Sequence, residues 1–293
     1  MKNIGIITDS HSGLTPRQAQ ELGVLVLPMP FYINGECYYE NVTLSREVFF
    51  EKLSQGAEVS TSQPSPEEVK ALWRKGLEQY DELLYMPISS GLSGSCMTAA
   101  AMAGDSEFNN KVFVVDHGRV STPLVRTIMD ALELIQEGYT ASQIKDILEA
   151  SKNDMVIYIA LETLEYLKKG GRISTMTAAL GTLLNVKPVL KLETGILESF
   201  QKCRGFKKAR KLMIDTMKKD IETRFHDSLE KGELSLLAAS SASPEITAEW
   251  VKEIEEAFPG MSVLSGNLSL GICCHTGPGG LGIGCSCRPS RPE

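Results

Sequence analysis

Short apolar runs alternate with longer amphipathic stretches through the first half of the chain. Asn3–Thr8 (NIGIIT), Val24–Pro28, Leu83–Ile88 (LLYMPI) and Val112–Val115 (VFVV) read as strands. Between them, Pro16–Leu22, Leu44–Leu53 and about Glu67–Tyr80 read as helices; another begins near Cys96, and Pro123–Gln136 is closed by Gly138. Two helix starts are strongly marked. Ser65-Pro66 is followed by Glu68, and Thr140 by Gln143, each three residues after its cap. Ser60–Pro66 reads as a loop. Strands alternating with helices of this length predict parallel βαβ units.

The pattern changes after about residue 154. Met155–Leu161 reads as a strand, and the helix Thr163–Lys169 is stopped by Gly170 and Gly171. A small-residue helix is expected over Thr175–Leu184. Pro188–Leu192 and Ile196–Lys202 form a predicted hairpin around Glu193-Thr194-Gly195. A long helix over about Phe206–Arg224, the strand Leu234–Ala239 and a helix from Ser243 to Phe258 follow. Ser262–Leu264 and Gly271–His275 are expected as closing strands. The expectation is an α/β chain of two domains, a parallel-sheet domain over 1–153 and a two-layer, mixed-sheet domain over 154–293.

Composition narrows the function classes. A chain of 293 residues suits two domains, and 42% hydrophobic with 23% charged residues is ordinary for a globular protein. The formal charge of −7 argues against a nucleic-acid partner. No apolar run approaches the roughly 18 residues of a membrane span, and MKNIGIITDSHSG reads as a first strand rather than a signal peptide. A cytoplasmic location is expected. Of seven cysteines, Cys273-Cys274 are adjacent and Cys285-Ser286-Cys287 is C-x-C. Neither spacing suits a structural zinc site, so reduced thiols and no metal are expected. The charge is unevenly spread: Lys202 to Lys219 holds eight bases and one acid. That stretch is either a solvated helix face or a docking surface for an acidic protein or an anionic membrane.

The strongest chemical signal is Ser89-Ser90-Gly91-Leu92-Ser93-Gly94-Ser95, between a strand and a helix. Glycines expose backbone N–H groups, helix N-termini attract anions and hydroxyls add donors, so the loop suits a phosphate or a carboxylate. It lacks the Gly-Lys-Ser/Thr of a Walker loop and the second glycine of a nucleophile elbow. Thr61-Ser62-Gln63-Pro64-Ser65 and Thr8-Asp9-Ser10 are further hydroxyl-bearing loops, expected on the same carboxyl edge of the parallel sheet. Gly277-Pro278-Gly279-Gly280-Leu281-Gly282 matches G-x-G-x-x-G, but too little chain follows for a dinucleotide fold. Its glycines more plausibly serve close backbone approach. Asp116-His117 is no dyad, because adjacent side chains diverge at a strand end.

Six segments together resemble the DegV family of bacterial fatty-acid-binding proteins. They are Ile7–Ser10, Thr61–Ser65, Ser89–Ser95, Leu164–Ser174 (LEYLKKGGRIS), Lys187–Leu190 with Gly195–Leu197, and His275–Gly279, in the family's order over essentially the whole chain. The resemblance implies a three-layer α/β/α domain, a second α/β domain with a mixed sheet, and a long-chain fatty acid between them. It further implies that Thr61 and Ser93, with Ser62 and Gly94 alongside, hold the carboxylate, and that His275 and Arg172 act at the same end. Family members present the bound acid to a fatty acid kinase, and the acyl phosphate feeds phospholipid synthesis; the chain itself would then be no enzyme and would need no cofactor. The alternative reading is an enzyme acting on a small phosphorylated or carboxylate substrate at the Ser-Gly loop. The segment His117–Pro123 departs from the family's usual serine- and glycine-rich sequence, as does Cys285–Pro289.

Overall fold

The computed structural model describes residues 2–172 and 186–291. The expected helix over 175–184, and Ile173 and Ser174 of the Gly-Gly-Arg motif, lie outside the described residues.

Four strands, β1 (Ile4–Asp9), β2 (Leu25–Leu27), β6 (Glu82–Met86) and β7 (Val112–Val114), form a parallel sheet in the order β2-β1-β6-β7. Alternation along β1 and β6 sends Ile6, Leu84 and Met86 to one face and Ile7, Leu83 and Tyr85 to the other. The first face packs α1 (Pro16–Leu22), α5 (Ser121–Gln136) and α6 (Ala141–Ala150). The second packs α3 (Pro66–Leu77), through Trp73, and α4 (Ser95–Ala103). This is the three-layer arrangement that the resemblance implies. Both predicted capping boxes form, Ser65 with Glu68 and Thr140 with Gln143.

The second sheet is six-stranded and mixed, ordered β10-β9-β8-β13-β11-β12. Its strands are β8 (Met155–Ala160), β9 (Val186–Glu193), β10 (Ile196–Arg204), β11 (Leu234–Ser240), β12 (Val263–Asn267) and β13 (Leu281–Cys287). Only β11 and β12 pair in parallel. One face is covered by α8 (Phe206–Thr223) and α10 (Pro244–Ala257), through Met213, Met217, Trp250 and Ile254.

Three expectations need correction. Gly271–His275 is not a strand but part of α11 (Leu270–Thr276), capped by the Ser269 hydroxyl. It is short and buried nearly all round, so periodicity could not separate it from a buried strand. The strand that closes the chain is instead β13, which lies mid-sheet and takes in Leu281 and Gly282, the end of the expected glycine turn. Ser60–Pro66 is not wholly loop either. Val59–Thr61 is β5, paired with β3 (Pro30–Ile33), which also pairs with β4 (Glu36–Tyr39). The β3–β4 turn is Asn34-Gly35, both at positive φ, the dipeptide that favours a tight hairpin. This small sheet and α2 (Arg46–Ser54) share a core with Ile159, Leu190 and Leu270.

Candidate functional site

Among the described residues, helices do not fill all of the second face of the mixed sheet. Ile157 and Ile159 of β8, Leu190 and Leu192 of β9, Leu237 and Ala239 of β11, and Gly282 and Gly284 of β13 line a cavity instead. Its empty volume is about 1050 Å³, open solvent included. Across from the sheet stand Ile88, Leu92, Val120, Leu268 and Ile272. The walls are mostly aliphatic. In β13, Leu281, Ile283 and Cys285 pack into the helix-side core, whereas Gly282 and Gly284 lie on the cavity side. Close backbone approach is borne out: a side chain on Gly284 would strike the Val156 carbonyl, one on Gly282 would crowd that of Ala239, and Gly277 and Gly279 of the literal G-x-G-x-x-G stand against Tyr166 and Glu162.

Thr61, Ser62, Ser93, His275 and Arg172 all line this cavity, and Gly94 adjoins Ser93. Thr61 ends β5, opposite the buried Phe31. Its Oγ1 lies 2.8 Å from His275 Nε2. His275 occupies the last turn of α11, which Gly277 closes at φ 70, pressed so tightly to the Tyr166 ring that a side chain there would collide. Gly170 abuts the other nitrogen of the imidazole, and a side chain there would collide with it. Burial above all, then the charge of Arg172 and the proximity of His11, pushes the His275 pKa down to about 4, so the ring is neutral at pH 7. Arg172 is exposed and donates from Nη1 to Gly170 O at 2.6 Å.

The Ser-Gly loop divides its labour. Ser89 Oγ donates to Gly195 O at 3.2 Å, and a side chain on Gly91 would strike that carbonyl, so the β9–β10 turn docks here. Ser90 Oγ donates to Asp116 at 2.8 Å, which Lys152 also pairs at 2.8 Å. Ser93 Oγ donates to Ser95 Oγ at 3.0 Å and accepts from Ser95 N at 3.2 Å. Of the four serines, only Ser93 lines the cavity. Ser62 Oγ donates to Gln63 O at 3.1 Å.

Thr8-Asp9-Ser10 is structural in its bonding. Thr8 donates to Met86 O, Asp9 accepts from His11 N and Ile88 N, and Ser10 Oγ accepts from Met29 N. The three hydroxyl loops do not share one sheet edge, because the Thr61 loop leaves the small antiparallel sheet. Asp116 and His117 diverge as expected: His117 is buried, accepts from Arg119 N at Nδ1, and has its pKa pushed down to about 3, chiefly by burial. Sequence reasoning missed Gln63, whose side chain accepts from Thr98 and lies against Gly94, bridging the two loops. The divergent loop His117–Pro123 contributes Val120, Ser121, Thr122 and Pro123 to the cavity wall; His11, which nothing local marked, lines it too. In the divergent loop, buried Arg119 donates to Thr127, Ser286 and Ser151, tying α5 to β13.

The basic stretch covers the outer side of α8 and the edge strand β10. Arg210 pairs with Glu253, Lys211 with Asp215, and Lys218 lies over the Phe258 ring. Lys202, Arg204, Lys207 and Lys208 have no acidic partner within 4.0 Å among the described residues. Phe200, two residues before Lys202, is 39% exposed, and Ile196, at the other end of β10, is 51% exposed. Among the described residues, no helix is long and apolar enough to cross a membrane, and no three His, Cys, Asp or Glu side chains are grouped to hold a metal.

Comparison with known proteins gives a consistent result. Residues 3–287 match the family model described as "Uncharacterised protein, DegV family". A DegV domain-containing protein of Deinococcus radiodurans is 32% identical over 284 residues, 96% of this chain and 97% of that one. A DegV family protein from Thermus thermophilus, whose structure is described for its fatty acid binding, is 33% identical with a TM-score of 0.86, covering 97% of this chain and 99% of its own. DegV of Bacillus subtilis, described as a fatty acid binding protein, is 26% identical with a TM-score of 0.83, covering 98% and 100%.

Proposed function

This chain belongs to the DegV family, and from that premise we propose that it is a fatty-acid carrier rather than an enzyme. A long-chain fatty acid lies in the cavity with its carboxylate at Thr61, Ser62, Ser93 and Gly94, beside His275 and Arg172. The observation that carries the reading is one cavity with hydroxyls, an imidazole and a guanidinium among walls that are otherwise aliphatic. Fatty acid binding by the Thermus thermophilus and Bacillus subtilis proteins supports it.

The energetics divide between the two ends. Burying about 15 methylenes at ~0.8 kcal/mol each contributes roughly 12 kcal/mol before ordering costs. Each hydrogen bond to the carboxylate is worth about 1.5–3 kcal/mol. The tail therefore carries affinity and the hydroxyls fix the head group in register. With the proton on Nε2, His275 donates to Thr61 Oγ1 and leaves the Thr61 hydroxyl free to donate to the carboxylate.

The carrier presents that carboxylate to a partner fatty acid kinase, which forms the acyl phosphate that feeds phospholipid synthesis in the cytoplasm. Residues 1–153 and 154–293 are its two domains. Lys202, Arg204, Lys207 and Lys208, unpaired among the described residues, with exposed Phe200 nearby, favour a transient contact with an anionic membrane surface. Native mass spectrometry of gently purified protein is the test. A bound species of fatty-acid mass, or uptake of added stearate, is expected; an empty chain that ignores stearate overturns the carrier. Acyl phosphate trapped by hydroxylamine, from carrier, kinase and ATP together, tests presentation.

A further inference from the structure

The wall of the cavity holds polar groups that the carboxylate end does not use. Ser121, the first residue of α5, has a φ of 56, in the left-handed region that disfavours a side chain. It is 3% exposed, lines the cavity, and its Oγ has no hydrogen-bond partner among the described residues. Thr122 follows on the same wall, its methyl group against Gly266. The cap residue Val120 offers no side-chain acceptor to the first N–H groups of this 16-residue helix. The turn Ser10–Ser12 packs on α5, and its buried His11 also lines the cavity, with Nδ1 3.4 Å from Asp9 Oδ1 and no hydrogen bond.

A hydroxyl buried without a partner, on strained backbone, is costly unless something bonds to it. The bonding group would be neutral. Arg119 is the one cation of the loop, and its Nη donors are spent on Thr127, Ser151 and Ser286. A neutral hydroxyl, which both donates and accepts, matches a serine hydroxyl and free helix N–H groups better than an anion does. A plain methylene chain satisfies none of them.

We propose that Ser121, with the N-terminus of α5, is a second polar station in the cavity, which selects fatty acids bearing a hydroxyl along the acyl chain. The proposal rests on the fatty-acid reading above. The test compares dissociation constants of full-length protein for stearate and for hydroxystearates that differ in hydroxyl position. The variants are Ser121→Ala and Ser121→Gly, the second of which suits the positive φ and guards against misfolding. One hydroxystearate is expected to bind the unaltered protein about tenfold tighter than stearate, and that ratio is expected to fall to about one in both variants. Hydroxystearates that bind no tighter than stearate, or a preference that survives both variants, overturn the second station while stearate binding still upholds the carrier. Failure of every fatty acid to bind overturns both.

Discussion

The two faces of the mixed sheet are built from the same alternating strands yet meet different fates. On one face Val156, Tyr158, Leu236, Ile283 and Cys285 are closed over by α8 and α10. On the other, Ile157, Ile159, Leu237, Gly282 and Gly284 border a cavity. The first face is finished by helices; the second keeps apolar surface that the described residues do not fill. A sheet can thus spend one face on stability and keep the other for a ligand. The difference lies in what packs opposite, and in glycine at two central positions.

The largest expected effect sets a cavity on one face against one on the other. Met213→Ala opens a void under the helices and is expected to cost about 2–5 kcal/mol in urea denaturation, whereas Leu192→Ala, facing space already present, costs less than about 2 kcal/mol. Equal losses would erase the distinction. Gly282→Val tests the ligand face from the opposite direction. Its added side chain displaces the equivalent of about three methylenes, near 2.4 kcal/mol or roughly 50-fold in stearate affinity. Unchanged stearate affinity would remove Gly282 from the lining.

The smallest effect is a dependence on pH. Unfolded histidine titrates near 6.5, but folded His275 does so at about 4 and His117 at about 3. Between these values the unfolded chain binds protons that the folded chain does not. Stability is therefore full at pH 7 and declines as pH falls from 6.5 toward 4 for His275, and toward 3 for His117. His275 contributes at most about 1.4 kcal/mol of that loss between pH 6.5 and 5.5. Urea midpoints at the two pH values, with and without His275→Asn, measure the share. A midpoint that does not fall with pH would contradict burial of neutral imidazoles.

Much of this was legible beforehand, and for identifiable reasons. The parallel sheet was read correctly because each strand is short, apolar and bounded by well-capped helices; Ser65 with Glu68 and Thr140 with Gln143 are local devices that act through three residues. The segments holding Thr61, Ser93, Arg172 and His275 stood out as motifs, and the fold brings these residues to one cavity. β13 was hidden because glycines with poor strand propensity hold two of the three positions on its cavity side, and α11 because a short buried helix has no polar face to give its period away. His11 carried no signal, since a cavity-lining imidazole is defined only by what surrounds it.

The sequence by itself determined the α/β class, the capped helices, the chain's family and the set of polar motif residues, because propensity, capping and motif order are properties of neighbours along the chain. Tertiary structure alone decided which side of each strand meets helices and which meets open space. It brought β5 beside α11 so that Thr61 reaches His275, and set Arg119 as the tie between α5 and β13. Burial, hydrogen-bond completion and cavity width arise from residues tens to hundreds of positions apart, and no local pattern encodes those distances.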